Sequence, residues 1–226
     1  MKTCYTIVFL FAAIYTFSPD IVQAEEDYHL GFRIAPRIST LGGGLEVAKG
    51  LTPWLGLRVG GNYFKYSYDG EESGNKYELE LELKNAGLLI DIHPFKQAFR
   101  ITGGVIYNGN ILSGITQGTW KANDTDYPIN NPAYAELSFP NFAPYAGIGL
   151  DTTFGDHDNW GFTFDIGVVF TGTPELALNA TLDSTATNAQ KATFEADKSK
   201  EMAELQDSLN DYELWPVISA GIVYQF

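Results

Sequence analysis

Hydrophobic and polar residues alternate with a period of two along most of the chain. Leu30, Phe32 and Ile34 alternate with Gly31, Arg33 and Ala35, and Leu55, Leu57 and Val59 with Gly56, Arg58 and Gly60. The same rhythm runs through Leu79–Leu83, Phe99–Tyr107, Phe162–Phe170 and Ile218–Phe226. Side chains two apart share one face of a strand, so each segment reads as a strand with two unlike faces. Gly44–Ala48 and Ala143–Thr153 are weaker examples, which brings the set to eight. One strand changes phase: Leu79, Leu81 and Leu83 are odd, whereas Leu88, Ile90 and Ile92 are even. A bulge near Lys84-Asn85 is the expected repair.

One face of these strands carries large aliphatic residues with aromatics towards the ends. The other mixes glycine with charge, as side chains crowded inside a narrow barrel require. The pattern predicts an all-β fold, an eight-stranded antiparallel transmembrane β-barrel with lipid outside. Leu57, Ile101, Phe164 and Ile222 then face acyl chains. A lumen charge network is expected from Arg33, Arg37, Glu46, Arg58, Glu78, Glu80, Glu82, Lys84, Arg100, Asp151 and Asp165. The inside-out alternative is a secreted lipocalin-like barrel. Connections at 49–53, 93–97 and 155–159 are short and rich in turn residues, whereas 68–76, 117–142 and 172–213 are long and polar. Short periplasmic turns and long external loops are the rule for such barrels, which puts both ends of the barrel domain in the periplasm. The last long connection holds one helical segment, about Asn188 to Asn210, with Phe194, Met202, Leu205 and Leu209 as a sparse apolar stripe. It is either a lid over the barrel mouth or a solvated acidic segment.

The N-terminus adds the compartment. Met1-Lys2, the apolar stretch 5–17 and Val22-Gln23-Ala24 read as a signal peptide, residues 1–24, cleaved after Ala24. Residues 25–226 then form a single barrel domain in the bacterial outer membrane. Cys4, the one cysteine, leaves with the signal, so the exported domain has no disulfide. After residue 24 no apolar run is long enough for a membrane-spanning helix.

Charge narrows the partners. Asp and Glu number 28 against 14 Lys and Arg, a net charge of −14, which argues against nucleic acid. The three long connections hold fifteen acidic residues against five lysines, a field that gathers cations at the external mouth. Glu78, Glu80 and Glu82 are spaced as a carboxylate ladder along one strand face. Small cationic solutes are therefore the expected cargo, with outer-membrane lipids as the surroundings and a monomer as the working unit. The near balance of lumen charges is also compatible with a salt-bridged plug, because eight strands leave a lumen only just wide enough for its own side chains.

Four stretches carry a family resemblance: Tyr77-Glu-Leu-Glu-Leu, Ala143-Pro-Tyr-Ala-Gly-Ile-Gly-Leu150, the run from Asn159 to Pro174 and the run from Leu214 to Phe226. They resemble the CarO-type outer-membrane proteins, the ornithine-uptake porins, over most of the exported chain. The resemblance implies an eight-stranded barrel linked to uptake of ornithine and other basic amino acids. It also implies that Tyr224 and Phe226, in the closing Tyr224-Gln225-Phe226, form the signal read by the barrel-assembly machinery. It brings no cofactor and no substrate-site motif. The competing classes are a structural or adhesion barrel without a conduit and a lipid-modifying enzyme. His29, His93 and His157 all fall at the periplasmic end, so no Ser/His/Asp set assembles outside, no histidine pair is spaced for metal, and no enzyme is expected.

Overall fold

The computed structural model describes residues 30–72, 75–117, 119–122, 125–129, 132–182, 186–209 and 212–226. The signal-peptide reading of residues 1–24, and His29, lie outside them. The elements in chain order are β1 (Phe32–Ser39), β2 (Gly42–Thr52), β3 (Leu55–Glu72), β4 (Asn75–Ile92), β5 (Phe99–Asn108), β6 (Ile111–Gln117) and β7 (Thr119–Ala122). There follow β8 (Thr125–Pro128), β9 (Ala133–Ser138), β10 (Phe142–Asp151), β11 (Trp160–Phe170), β12 (Glu175–Asn179), α1 (Asn188–Leu209) and β13 (Leu214–Gln225).

Eight of these strands close a ring in the order β1-β2-β3-β4-β5-β10-β11-β13, each antiparallel to its neighbours, with β13 returning to β1. The eight predicted strands are these eight. Closure satisfies every ladder edge, which a chain in lipid requires. At the seam the Phe226 N–H donates to the Phe32 carbonyl at 2.9 Å.

The ring is taller on one side. β6 continues β5 along β4 in one unbroken register, Asn85↔Asn108 below and Glu82↔Ile111 above. β9 leads into β10 in the same way against that strand, and β12 adds beyond β9. A wall of β3, β4, β6, β9 and β12 therefore rises past the end of the β1–β2 hairpin, which turns at Ser39–Gly42. The connections 68–76, 117–142 and 172–213 are thus not simple loops. They contain the tip of the β3–β4 hairpin, the wall strands β9 and β12, the β7–β8 hairpin and α1, which matches the predicted helix closely.

The outward face of the ring is apolar and exposed. Val47, Val59, Leu88 and Val105 are in cross-strand register on one side, and Ile148, Ile166 and Ile218 on the other. Aromatics border this band: Phe32, Trp54, Phe95, Trp160, Phe162 and Phe226 at the short-turn end, and Tyr63, Tyr107, Phe142 and Phe170 at the other. Tyr224 stacks edge-on between Trp160 and Phe226, with ring centroids 4.8 and 4.9 Å away. An apolar belt with aromatic girdles is the surface a bilayer requires, and a water-soluble barrel would not expose it. Leu57, Ile101, Phe164 and Ile222 lie on that face as expected.

The expected bulge at Lys84-Asn85 is absent. β3 and β4 keep one register from Leu55↔Ile92 to Glu72↔Asn75. What changes along β4 is the surroundings. Below Lys84 the even positions face lipid; above it the strand stands in water, and its odd face turns apolar to line the inside of the wall.

Candidate functional site

Every ring strand contributes to one polar cluster in the lumen. Arg33 and Arg37 come from β1, Glu46 from β2, Arg58 from β3, Asp91 from β4 and Arg100 from β5. Asp151, Asp165 and Ser219 come from β10, β11 and β13. Arg58, only 1% exposed, lies at the centre. Its guanidinium contacts Glu46 at 3.1 Å, Asp91 at 2.6 Å and Asp165 at 3.3 Å, and donates to Thr102 at 3.0 Å. Arg100 reaches Asp165 at 2.9 Å, Asp151 at 3.5 Å and the Thr163 hydroxyl at 2.7 Å. Arg33 pairs with Asp151 at 2.9 Å, and Arg37 bridges Glu46 and Asp165.

Four arginines thus meet four carboxylates in one connected network with no excess charge. Buried ions demand such pairing, because the desolvation cost of each is offset only by partners with good geometry. Glycine makes the room: a Cβ at Gly149 would stand 2.3 Å from Asp165 Oδ1 and 3.1 Å from Arg100 Nε.

Two further layers close the lumen. On the long-loop side Leu41, Leu89, Ile106, Ala143, Tyr145, Val169 and Val217 pack together with Trp215. The gap between this layer and the network is a cavity of about 30 Å³, room for a water or two and not for a solute. On the short-turn side His93 lies parallel to Phe154, centroids 3.4 Å apart, with the Arg33 guanidinium 4.8 Å from the same ring. The His93 Nδ1–H donates to the Gln97 carbonyl at 2.8 Å.

Seven of the predicted network residues are brought together: Arg33, Arg37, Glu46, Arg58, Arg100, Asp151 and Asp165. Glu78, Glu80, Glu82 and Lys84 are not. They share the even face of β4 with Leu88 and Ile90, outside the barrel, and Glu80 pairs with Lys65 at 2.8 Å on the water-exposed side of the wall. The ladder of carboxylates therefore does not lead into the lumen. Asp91 is the member that the sequence reading missed. The signal was there, since alternation with Ile90 and Ile92 puts Asp91 on the inner face. His157 lies in the short turn 152–159, and among the described residues no group of three His, Cys, Asp or Glu is placed to hold a metal.

Lumen and belt together define a class, the small eight-stranded transmembrane β-barrels with a filled interior. Within it, the architecture is that of the CarO-type outer-membrane barrels. The chain is similar to the crystal structure of CarO2 of Acinetobacter baumannii, with a TM-score of 0.56 and 20% identity over 87% of this chain and 99% of that one. It is similar to Acinetobacter baumannii CarO with a TM-score of 0.53 and 21% identity, over 87% and 97% of the two chains. No protein-family model matches the chain, and no curated protein matches it.

Proposed function

We propose that the protein is a bacterial outer-membrane barrel whose lumen is closed at rest and which holds an ordered wall and helix at the cell surface. The observation that carries this reading is the neutral network of four arginines and four carboxylates under an apolar layer. Free diffusion needs a continuous water path, and this lumen is filled by its own side chains. The lipid-facing belt and the likeness in fold to CarO support the outer-membrane location. On the same reading the barrel-assembly machinery recognises the closing strand through Tyr224 and Phe226, and the protein works as a monomer without catalysis.

A second reading, assisted uptake of small cationic solutes such as basic amino acids, draws on one specific feature. The external end of the β3–β4 hairpin holds a cleft of about 490 Å³ lined by Asp69, Glu71 and Glu78 together with Lys76. Cations gather there, but passage requires the network and the apolar layer to rearrange. Planar-bilayer recording and liposome uptake separate the two. The closed barrel is expected to give no conductance steps and no lysine uptake above protein-free liposomes. Lysine uptake exceeding glutamate uptake without steps would support the second reading. Steady open steps from the unaltered protein would overturn the closed lumen.

A further inference from the structure

The wall is an open sheet, and its two edges differ. At the β12 edge the Gln206 side chain of α1 stands in for a missing strand. It accepts from the Leu176 N–H at 3.2 Å and donates to the Pro174 carbonyl at 2.8 Å. At the opposite edge β2 ends its pairing with β3 at Gly43↔Tyr63. From Phe64 to Glu72, β3 pairs with β4 in one register, and among the described residues no strand pairs with its other side. Free N–H and C=O groups held in strand geometry are a template for a further strand.

The register decides which groups are free. The Lys84 N–H donates to the Asn110 side chain, and its carbonyl accepts from the Gly109 N–H, both on the side of β5 and β6. Backbone direction alternates along a strand, so the odd residues of β4 point towards β3. Their partners Phe64, Tyr66, Tyr68 and Gly70 are therefore bonded to β4. Lys65, Ser67, Asp69 and Glu71 turn their backbone groups to the open edge.

Side chains on the two faces then describe the partner. Phe64, Tyr66 and Tyr68 stand on the inner side of the wall and are 44, 56 and 54% exposed. Lys65, Ser67, Asp69 and Glu71 stand on the outer side, opposite Glu82, Glu80, Glu78 and Lys76 of β4. Lys65 is taken by Glu80 at 2.8 Å. Asp69 faces Glu78 directly, and their row continues through Ile115 and Tyr134 without a base. Like charges opposed across a ladder are unfavourable, and the next place in that row is the vacant one beside Asp69. A strand with a basic residue there and apolar residues on either side meets carboxylates on one face and aromatic rings on the other. Its backbone completes the ladder, as in other peptide complexes formed by strand addition. We propose that the free edge of β3 binds an extended segment of a partner protein in which basic and apolar side chains alternate. The edge stands outside the barrel lumen, so the inference holds whether or not the lumen conducts.

The test uses the full barrel in nanodiscs of zwitterionic lipid, an eight-residue peptide of alternating Lys and Val, and amide hydrogen exchange. In the barrel alone the Ser67 and Asp69 N–H groups should exchange fast and those of Tyr66 and Tyr68 slowly. Saturating peptide should slow Ser67 and Asp69 at least ten-fold and leave Tyr66 and Tyr68 unchanged. A peptide of alternating Glu and Val, or one with the same Lys and Val content arranged in pairs, should need at least ten-fold more to do so. Ser67→Pro removes one free N–H without taking any from the β3–β4 ladder, and should abolish the protection of Asp69. Asp69→Lys should weaken binding at least ten-fold, and makes the test by itself if Ser67→Pro does not fold. Protection of Ser67 and Asp69 without peptide would show the edge already occupied, by a second copy or by the chain itself, and would overturn the proposal. So would protection spread evenly along β3, equal binding of either control peptide, or unchanged binding by either folded variant.

Discussion

Arg58 sets the energetics of the lumen at the scale of one residue. Among the described residues its guanidinium alone contacts Glu46, Asp91 and Asp165 together, and all three carboxylates are buried. Replacing it with methionine keeps much of the volume but leaves an uncompensated excess of negative charge, at a cost of roughly 3–5 kcal/mol. The expected outcome for Arg58→Met is a loss of that order in urea unfolding from bilayers, recovered in part by adding Asp91→Asn. Equal stability of the single and double variants would mean that Asp91 is not held by Arg58. His93 gives a second expectation. Burial against Phe154 lowers its pKa, with the hydrogen bond to the Gln97 carbonyl opposing the shift. The fold therefore holds the ring neutral while an unfolded histidine takes up a proton near pH 6.5. The stability this residue contributes is present above that pH and lost as pH falls below it towards the lowered value. Unfolding at pH 7 and pH 5 should show a drop in stability that His93→Gln reduces. These inward residues were legible because a charged side chain alternating with lipid-facing ones has only the lumen to enter. Asp91 obeys the same rule and was hidden by the apparent phase fault beside it.

At the scale of the element, β4 explains both a success and a failure of the sequence pattern. Its lower half alternates as a membrane strand, and its upper half alternates as a strand of a half-covered sheet in water. Periodicity reports which residues share a face, not what that face meets. The pattern alone therefore points Glu78, Glu80 and Glu82 into the lumen, whereas they stand on the solvent side of the wall, and it suggests a bulge where only the surroundings change. The wall itself was hidden because β6, β9 and β12 are short, and their pairing depends on contacts distant in sequence. Helix α1 was legible from its spacing, whereas its seating rests on Phe194 entering a pocket made by other connections. Depth in the bilayer offers a direct check on the membrane half. Ile166 lies in the isoleucine row midway between girdles, and Phe162 lies in the girdle of the same strand. Ile166→Arg is expected to cost roughly 2–4 kcal/mol on folding into bilayers, and Phe162→Arg only about 0–1 kcal/mol plus the lost ring contacts. Folding titrations in lipid vesicles measure both, and the reverse order would place the bilayer elsewhere on the barrel.

At the scale of the molecule, the chain combines a ring without edges and an outer part with unequal support. Within the wall, β6 shares an uninterrupted ladder with the ring strand β4, and β9 and β12 add to it in turn, so the wall is expected to open less readily than the parts outside this sheet. The β7–β8 hairpin is a separate two-stranded sheet, and α1 touches the rest chiefly through Phe194 and Gln206. Local opening draws on the parts with fewest buried contacts, so these two should open far more often than the ring. Trypsin reads the difference, since it needs an opened backbone at Lys or Arg. Arg33, Arg58 and Arg100 are buried in the lumen, and Lys96 lies in a turn at the opposite end of the barrel from the wall. With the external face outward in proteoliposomes, cleavage is expected first at Lys121, Lys191, Lys198 and Lys200. A cut in α1 separates β12 from β13 in sequence but not in space, because each stays paired in its sheet, so the nicked protein should keep its folded migration in unheated gels. Phe194→Ala removes the helix anchor and should speed the cuts in α1 at least ten-fold while leaving that at Lys121 less affected. Early cleavage at Lys65 or Lys76, or loss of folded migration on nicking, would mean that wall and ring do not form the continuous ladder described.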